Sequence, residues 1–272
     1  MSYISDFKSS ALGLFKQATS VATGTGDVMK DCVSYVGQAF NLNDGREVRI
    51  VANGAVALTS GVLVQGQPLV ANHQNLAVAV PAAYPATAGS TQISVTLGAT
   101  LLKTNFYAGG YAIVNAGTGI GQTLRIAGHL NAAASASGVI INLEDAIMVT
   151  LDATSKVSLV PNPYTNVVIN PTTATSTPVG VTLYPVAAAV APTTDGTSGK
   201  QTADGTQQYA FVQTKGVVSV LSDVTVAGVG LGIAPSTTTA GAVTVQAATL
   251  ANIGRTLILG VTAESRAVFI DL

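Results

Sequence analysis

The chain has 272 residues, of which 9% are charged, with a formal net charge of −1 and 48% hydrophobic residues. An ordinary soluble domain carries roughly 25% charged residues, so this balance argues against nucleic acid or an anionic membrane as a partner and against disorder. The single cysteine, Cys32, excludes an intrachain disulfide framework, and no uninterrupted apolar run approaches the roughly 18 residues of a spanning helix.

Residues 1–44 form a segment apart. Ile4, Phe7, Ala11, Leu14, Phe15, Ala18 and Val21 recur at helical spacing, Thr23–Gly26 interrupts them, and Asp27 is placed to cap a second helix. The second stripe is Val28, Met29, Cys32, Val33, Val36 and Phe40. Two short amphipathic helices here make either an arm that docks on a neighbour or a helical layer of the same core. The opening MSYISDFKSS has no basic n-region leading into an apolar h-region, so no secretory signal is expected and synthesis in the cytoplasm is.

From residue 45 to 272 the pattern changes to short strands punctuated by glycine. Asp44-Gly45 marks a turn, and between Ile50 and Leu102 there is no Asp, Glu, Lys or Arg. Strands are predicted at Val48–Val51, Ala55–Leu58, Val62–Val64 and Leu76–Val80, and Ile93-Ser94-Val95-Thr96-Leu97 alternates as a strand with one apolar face. Tyr111–Val114 and Thr123–Ile126 flank the glycine bend 117–121 as a hairpin, and Val139–Leu143, Val157–Val160 and Val167–Ile169 follow. Residues 193–207 are polar and glycine-rich, the composition of an exposed loop. The most informative stretch is Tyr209–Val245. There a strand Tyr209–Lys215 is expected to turn at Gly216 into a second strand Val217–Leu221, before the bend Gly228–Gly232 and the strand Gly241–Val245. Arg255–Val261 and Ala267–Ile270 close the chain. The fold class is mainly β: small antiparallel barrel or sandwich lobes with a short N-terminal helical segment.

Chemistry-bearing motifs are scarce. Gly117-Thr118-Gly119-Ile120-Gly121 departs from the dinucleotide fingerprint in spacing and is followed by a strand instead of a helix, and Gly228–Gly232 departs in the same way. Ser5 and Lys8 have serine–lysine spacing with no Lys-Thr-Gly partner, since Thr214-Lys215-Gly216 has the wrong order. His73 and His129, the only histidines, lack neighbouring ligands. The Asn41–Glu47 turn lacks the terminal bidentate acid of a calcium loop, and Glu144-Asp145 on a strand point to opposite faces. No catalytic, cofactor-binding or metal-ligating residue is nominated, and no enzyme activity or cofactor is expected.

The order aromatic-Val-Gln-Thr-Lys-Gly (211–216), Val-Leu-Ser-Asp (220–223), Gly-x-Gly (228–230), Pro-Ser (235–236) and Ala-Gly-Ala-Val (240–243) resembles the head decoration (cement) proteins of tailed bacteriophages. Gly45–Arg49 through Leu58–Val64, and Tyr107–Tyr111 through Gly117–Gln122, are similar to the same group. The resemblance implies a virion structural protein on the outer capsid surface, a homotrimer that clamps neighbouring major capsid subunits without covalent bonds. It also implies that early and C-terminal strands share one small barrel, with residues 80–192 inserted as a second β lobe. The alternative is a tail-fibre, surface-layer or other extracellular assembly or receptor-binding module, equally β-rich and charge-poor.

Overall fold

The computed structural model of the protein describes residues 36–79, 86–190, 193–198, 200–203, 206–226, 228–247 and 249–272. The expected N-terminal helices, with Ser5, Lys8 and Cys32, lie outside these residues except at Val36 and Phe40. In chain order the strands are β1 (Ala39–Asn41), β2 (Glu47–Ala52), β3 (Leu63–Gln65), β4 (Leu76–Val78), β5 (Gln92–Thr96), β6 (Tyr111–Ala116), β7 (Thr123–His129), β8 (Val139–Leu143) and β9 (Lys156–Val160). They continue with β10 (Val168–Ile169), β11 (Pro178–Thr182), β12 (Thr193–Thr194), β13 (Gln201–Ala203), β14 (Tyr209–Leu221), β15 (Gly232–Pro235), β16 (Val243–Val245), β17 (Gly254–Thr256) and β18 (Ser265–Asp271). The protein is mainly β, and among the described residues no helix is long and apolar enough to cross a membrane.

The described residues divide into two compact units: those up to Gln67 with those of Pro163–Val190 and Thr206–Leu272, and those of Pro68–Asn162 with those of 191–205. These boundaries differ from the expected insertion at 80–192. After β9, the chain returns β10 and β11 to the first unit, where Val168 pairs with Gln65 and Val181 with Leu63. The valine-rich strands at 168–169 and 178–182 bury more apolar surface beside β3 than a loop would.

The first unit is one curled antiparallel sheet in the order β10-β3-β11-β14-β18-β17-β15-β16, with β2 also on β14 and β1 on β2. Its hub is β14, which pairs with β2 from Tyr209 to Lys215, with β11 at Val212–Gln213, and with β18 from Lys215 to Leu221. The predicted turn at Gly216 is therefore a correction: the strand runs through it. The register against β2 slips between Gln213 and Lys215, and Gly216 holds φ 93°. A bulge adds one residue and shifts the in–out alternation by one place. As a result Tyr209 and Phe211 before it, and Val218 and Val220 after it, are buried in two separate clusters, with Leu183 packed against both. On the opposite face Ala210 and Val212 are covered by Val62, Val64, Val179 and Val186, whereas Val217 and Ser219 face solvent.

Phe40 is likewise not on a helix. The Asp44-Gly45 turn, with Gly45 at φ 84°, closes a β1–β2 hairpin in which Phe40 pairs with Val48 and packs edge-on against Phe211 at 6.1 Å. Cross-strand aromatic contact and burial outweigh the helical spacing of Val33, Val36 and Phe40.

The second unit is a closed barrel, β4-β5-β8-β7-β6-β9, together with the separate hairpin β12–β13, which replaces the loop expected at 193–207. Ile93, Val95, Ala112, Val114, Leu124 and Ile126 alternate inward into one core. Outward positions mix polar residues (Asn115, Thr123, Arg125, Asn142 and Ser158) with Tyr111, Ile113, Ala127 and Ile140. In β5 the alternation is less clean than expected, because Ser94 is also buried and its hydroxyl has no partner among the described residues.

Candidate interaction surface

The phase shift at the β14 bulge creates the most distinctive surface of the first unit. Beyond it, Val217 stands opposite Phe269 on β18, which stands opposite Arg255 on β17, all on the uncovered face. The chain leaving β17 then carries Leu257, Ile258, Leu259 and Val261 in succession, between 38% and 58% exposed. The loop before β15 lies alongside and adds Val229 and Leu231. Gly230 N–H donates to the Thr256 carbonyl (2.8 Å), Thr256 N–H to that of Leu231 (2.9 Å) and Val226 N–H to that of Gly260 (3.0 Å).

Neither Val224–Gly254 nor Thr256–Ala263 contains a charged residue. The charges beside this patch include Arg255, Glu264, whose Oε2 accepts the Val261 main-chain N–H (3.2 Å), and the exposed Lys215–Asp271 ion pair at 3.3 Å. Isolated exposed aliphatics are ordinary, but a contiguous uncharged group of them marks a contact surface. Completing the burial of such half-exposed side chains yields about 1 kcal/mol each. Their sum, near 8 kcal/mol, is of the order of the roughly 4–15 kcal/mol lost on association. A single contact of this kind is weak, and repetition in an assembly makes it effective.

Below this surface lies Arg266, 2% exposed on the core side of β18. Its Nη2 donates to the carbonyls of Val224 and Val261 (2.6 Å to the latter), tying the 224–226 segment to the 257–264 loop, while Nε and Nη1 find no partner among the described residues.

Gly117, Gly119 and Gly121 all have positive φ (76°, 78° and 92°) in the β6–β7 hairpin, with no helix after them. Gly228 lies in the loop before β15, Gly230 takes φ 79° and Gly232 begins β15, while Thr214 is the bulge residue of β14 and Lys215 and Gly216 pair in its ladders. Asp44 accepts from Arg46 N–H (3.2 Å) and Nε (2.7 Å), and these bonds hold its carboxyl below the usual range. Glu144 and Asp145 are a correction. They follow β8 instead of lying on it, and both engage Arg125: Glu144 pairs with its Nε at 3.0 Å, and Asp145 accepts its main-chain N–H at 2.7 Å. Among the described residues no group of three His, Cys, Asp or Glu is placed to hold a metal ion.

The two histidines do converge, a point no spacing rule reveals. Tyr107 lies between them, with ring centroids 5.6 Å from His73 and 6.0 Å from His129. The Thr100 carbonyl can only accept, so His73 Nε2 donates to it (3.0 Å) and His73 Nδ1 accepts from the Tyr107 hydroxyl (2.8 Å). By the same logic His129 Nδ1 donates to the Leu130 carbonyl (3.0 Å), leaving Nε2 to accept the Tyr107 main-chain N–H (3.0 Å). Burial pushes both imidazoles below their ordinary range, with His73 adding to the effect on His129, and burial pushes the Tyr107 phenol up. With all four ring nitrogens satisfied inside the barrel, the trio is a structural network with no open ligand position.

No family model, curated protein or solved structure matches this chain.

Proposed function

We propose that the protein is a capsid decoration, or cement, protein: a virion structural component that binds the outer surface of a tailed-phage head and stabilises it by non-covalent contacts. The observation that carries this reading is the exposed apolar surface built by Val217, Phe269 and the 257–261 loop on a β scaffold, flanked by Arg255 and Glu264. It suits contact with another protein and offers no grouping for group transfer. The partners are the major capsid protein and further copies of the chain, assembled as the homotrimer that the sequence resemblance implies. Modest affinity per contact is sufficient, because a shell presents many identical sites and the losses of individual contacts do not release the whole coat.

The test is co-sedimentation of the purified protein with heads that lack it, together with micrographs and heat-release assays of the same heads. The wild-type chain is expected to pellet with heads and raise the temperature at which they release DNA. Ile258→Asp and Leu259→Asp are expected to remain folded and stay in the supernatant. Heads that neither bind the wild-type chain nor gain heat resistance overturn the proposal.

A further inference from the structure

We propose that the barrel unit contains an acid-sensitive latch whose trigger is His129, held neutral by a main-chain N–H that cannot reverse its direction. The two histidines touch the same tyrosine but respond differently to a proton. At His73 the group facing Nδ1 is a hydroxyl, which rotates, so a protonated Nδ1 can donate to the Tyr107 oxygen instead of accepting from it. At His129 the group facing Nε2 is the Tyr107 amide, a donor only. A proton taken from solvent onto Nε2 removes the acceptor that this amide has among the described residues and sets two N–H groups against each other at hydrogen-bond distance. The ring cannot escape by flipping, since Nδ1–H already donates to the Leu130 carbonyl.

The proton therefore acts on the segment pairing that closes this end of the barrel. Leu102 and Ala132 exchange two main-chain hydrogen bonds of 2.9 Å, Asn105 N–H donates to the His129 carbonyl (3.1 Å), and His129 N–H donates to Asn105 Oδ1 (3.0 Å). Protonation favours release of residues 102–108 from 129–132, which exposes Nε2 to water. The ionisable groups against His129 are Tyr107 and His73. Lys103 is exposed on the same loop, and Asp195 and Lys200 belong to the hairpin whose Ser198 carbonyl accepts from Asn131. Arg125 on β7 and Lys156 on β9 occupy outward places, and among the described residues neither imidazole meets a carboxylate that would stabilise its charged form.

A histidine that titrates lower when folded contributes stability that is complete above its unfolded value, about 6.5, and is lost as pH falls below it. The equilibrium for opening the latch then rises up to about tenfold per pH unit. Both histidines lie in the barrel unit, so the first unit provides an internal control.

Hydrogen exchange on the full-length chain between pH 7.5 and 5.0, corrected for intrinsic rates, measures this directly. The Tyr107 amide is expected to lose protection at least tenfold, while the amides of Val218 and Val268 keep theirs. In His129→Gln, whose side-chain carbonyl replaces Nε2 as a non-titrating acceptor, the Tyr107 amide is expected to hold its protection. Unchanged protection of Tyr107 in the wild type, or an equal loss in the variant, overturns the proposal. If the variant fails to fold, NMR titration of the wild-type imidazoles decides: a folded-state His129 midpoint at or above its ordinary value refutes the latch.

Discussion

Replacing Gly216 by alanine tests whether the bulge in β14 organises the first unit. At φ 93° an L side chain is strained, and a Cβ there would lie 2.9 Å from Arg46 Cγ and 3.1 Å from Arg46 Cα. The side-chain carbon can move aside, but the Cα belongs to the main chain entering β2 and must shift. Gly45 provides the control, because it has nearly the same φ, 84°, and nothing within 4 Å of its Cβ position. The left-handed conformation costs an alanine about 1–2 kcal/mol at either position. Forcing an atom into packed surroundings adds about 1–3 kcal/mol at Gly216 alone. Gly45→Ala is thus expected to lower stability by about 1–2 kcal/mol and Gly216→Ala by about 2–5 kcal/mol, within the 5–15 kcal/mol typical of a folded domain. Urea unfolding followed by circular dichroism, with m unchanged, gives the two values. Hydrogen exchange along the β14–β18 ladder locates the loss. Equal losses at both sites, or a loss below about 1 kcal/mol at Gly216, would refute a strand that passes through a crowded, positive-φ bulge.

Other expectations follow from single contacts. Arg266→Ala removes the donor to the Val224 and Val261 carbonyls and empties buried volume, so thermal melts should show a loss of about 2–4 kcal/mol. Arg266→Met keeps the stem and relieves the unpartnered Nε and Nη1, and should lose less than half as much in the same assay. Tyr107→Phe leaves His73 Nδ1 without its donor and should cost about 1–3 kcal/mol at pH 7.5, measured by urea unfolding. Leu259→Asp should leave the unfolding free energy from urea titration within about 0.5 kcal/mol of wild type, because that residue is already 58% exposed.

Much of the local architecture was readable from residue order alone. The mainly β class, the Asp44-Gly45 turn and the 117–121 hairpin bend follow from alternation and from glycine's access to positive φ, which act over a few neighbouring residues. The strands β2, β9 and β18 fall close to their apolar runs for the same reason. What the order of residues leaves open is partnership. Val167–Ile169 and Val179–Thr182 have the composition of strands, but their return to β3, outside the barrel, depends on which distant surface leaves the least apolar area in water. The exposed Val217–Phe269 face exists only because one extra residue near Gln213 shifts the alternation, and a bulge is defined by two strands together. His73, Tyr107 and His129 are separated by 34 and 22 positions and become one network when the barrel closes. Short-range sterics set the elements, whereas burial and hydrogen-bond completion over the whole chain decide which of them meet.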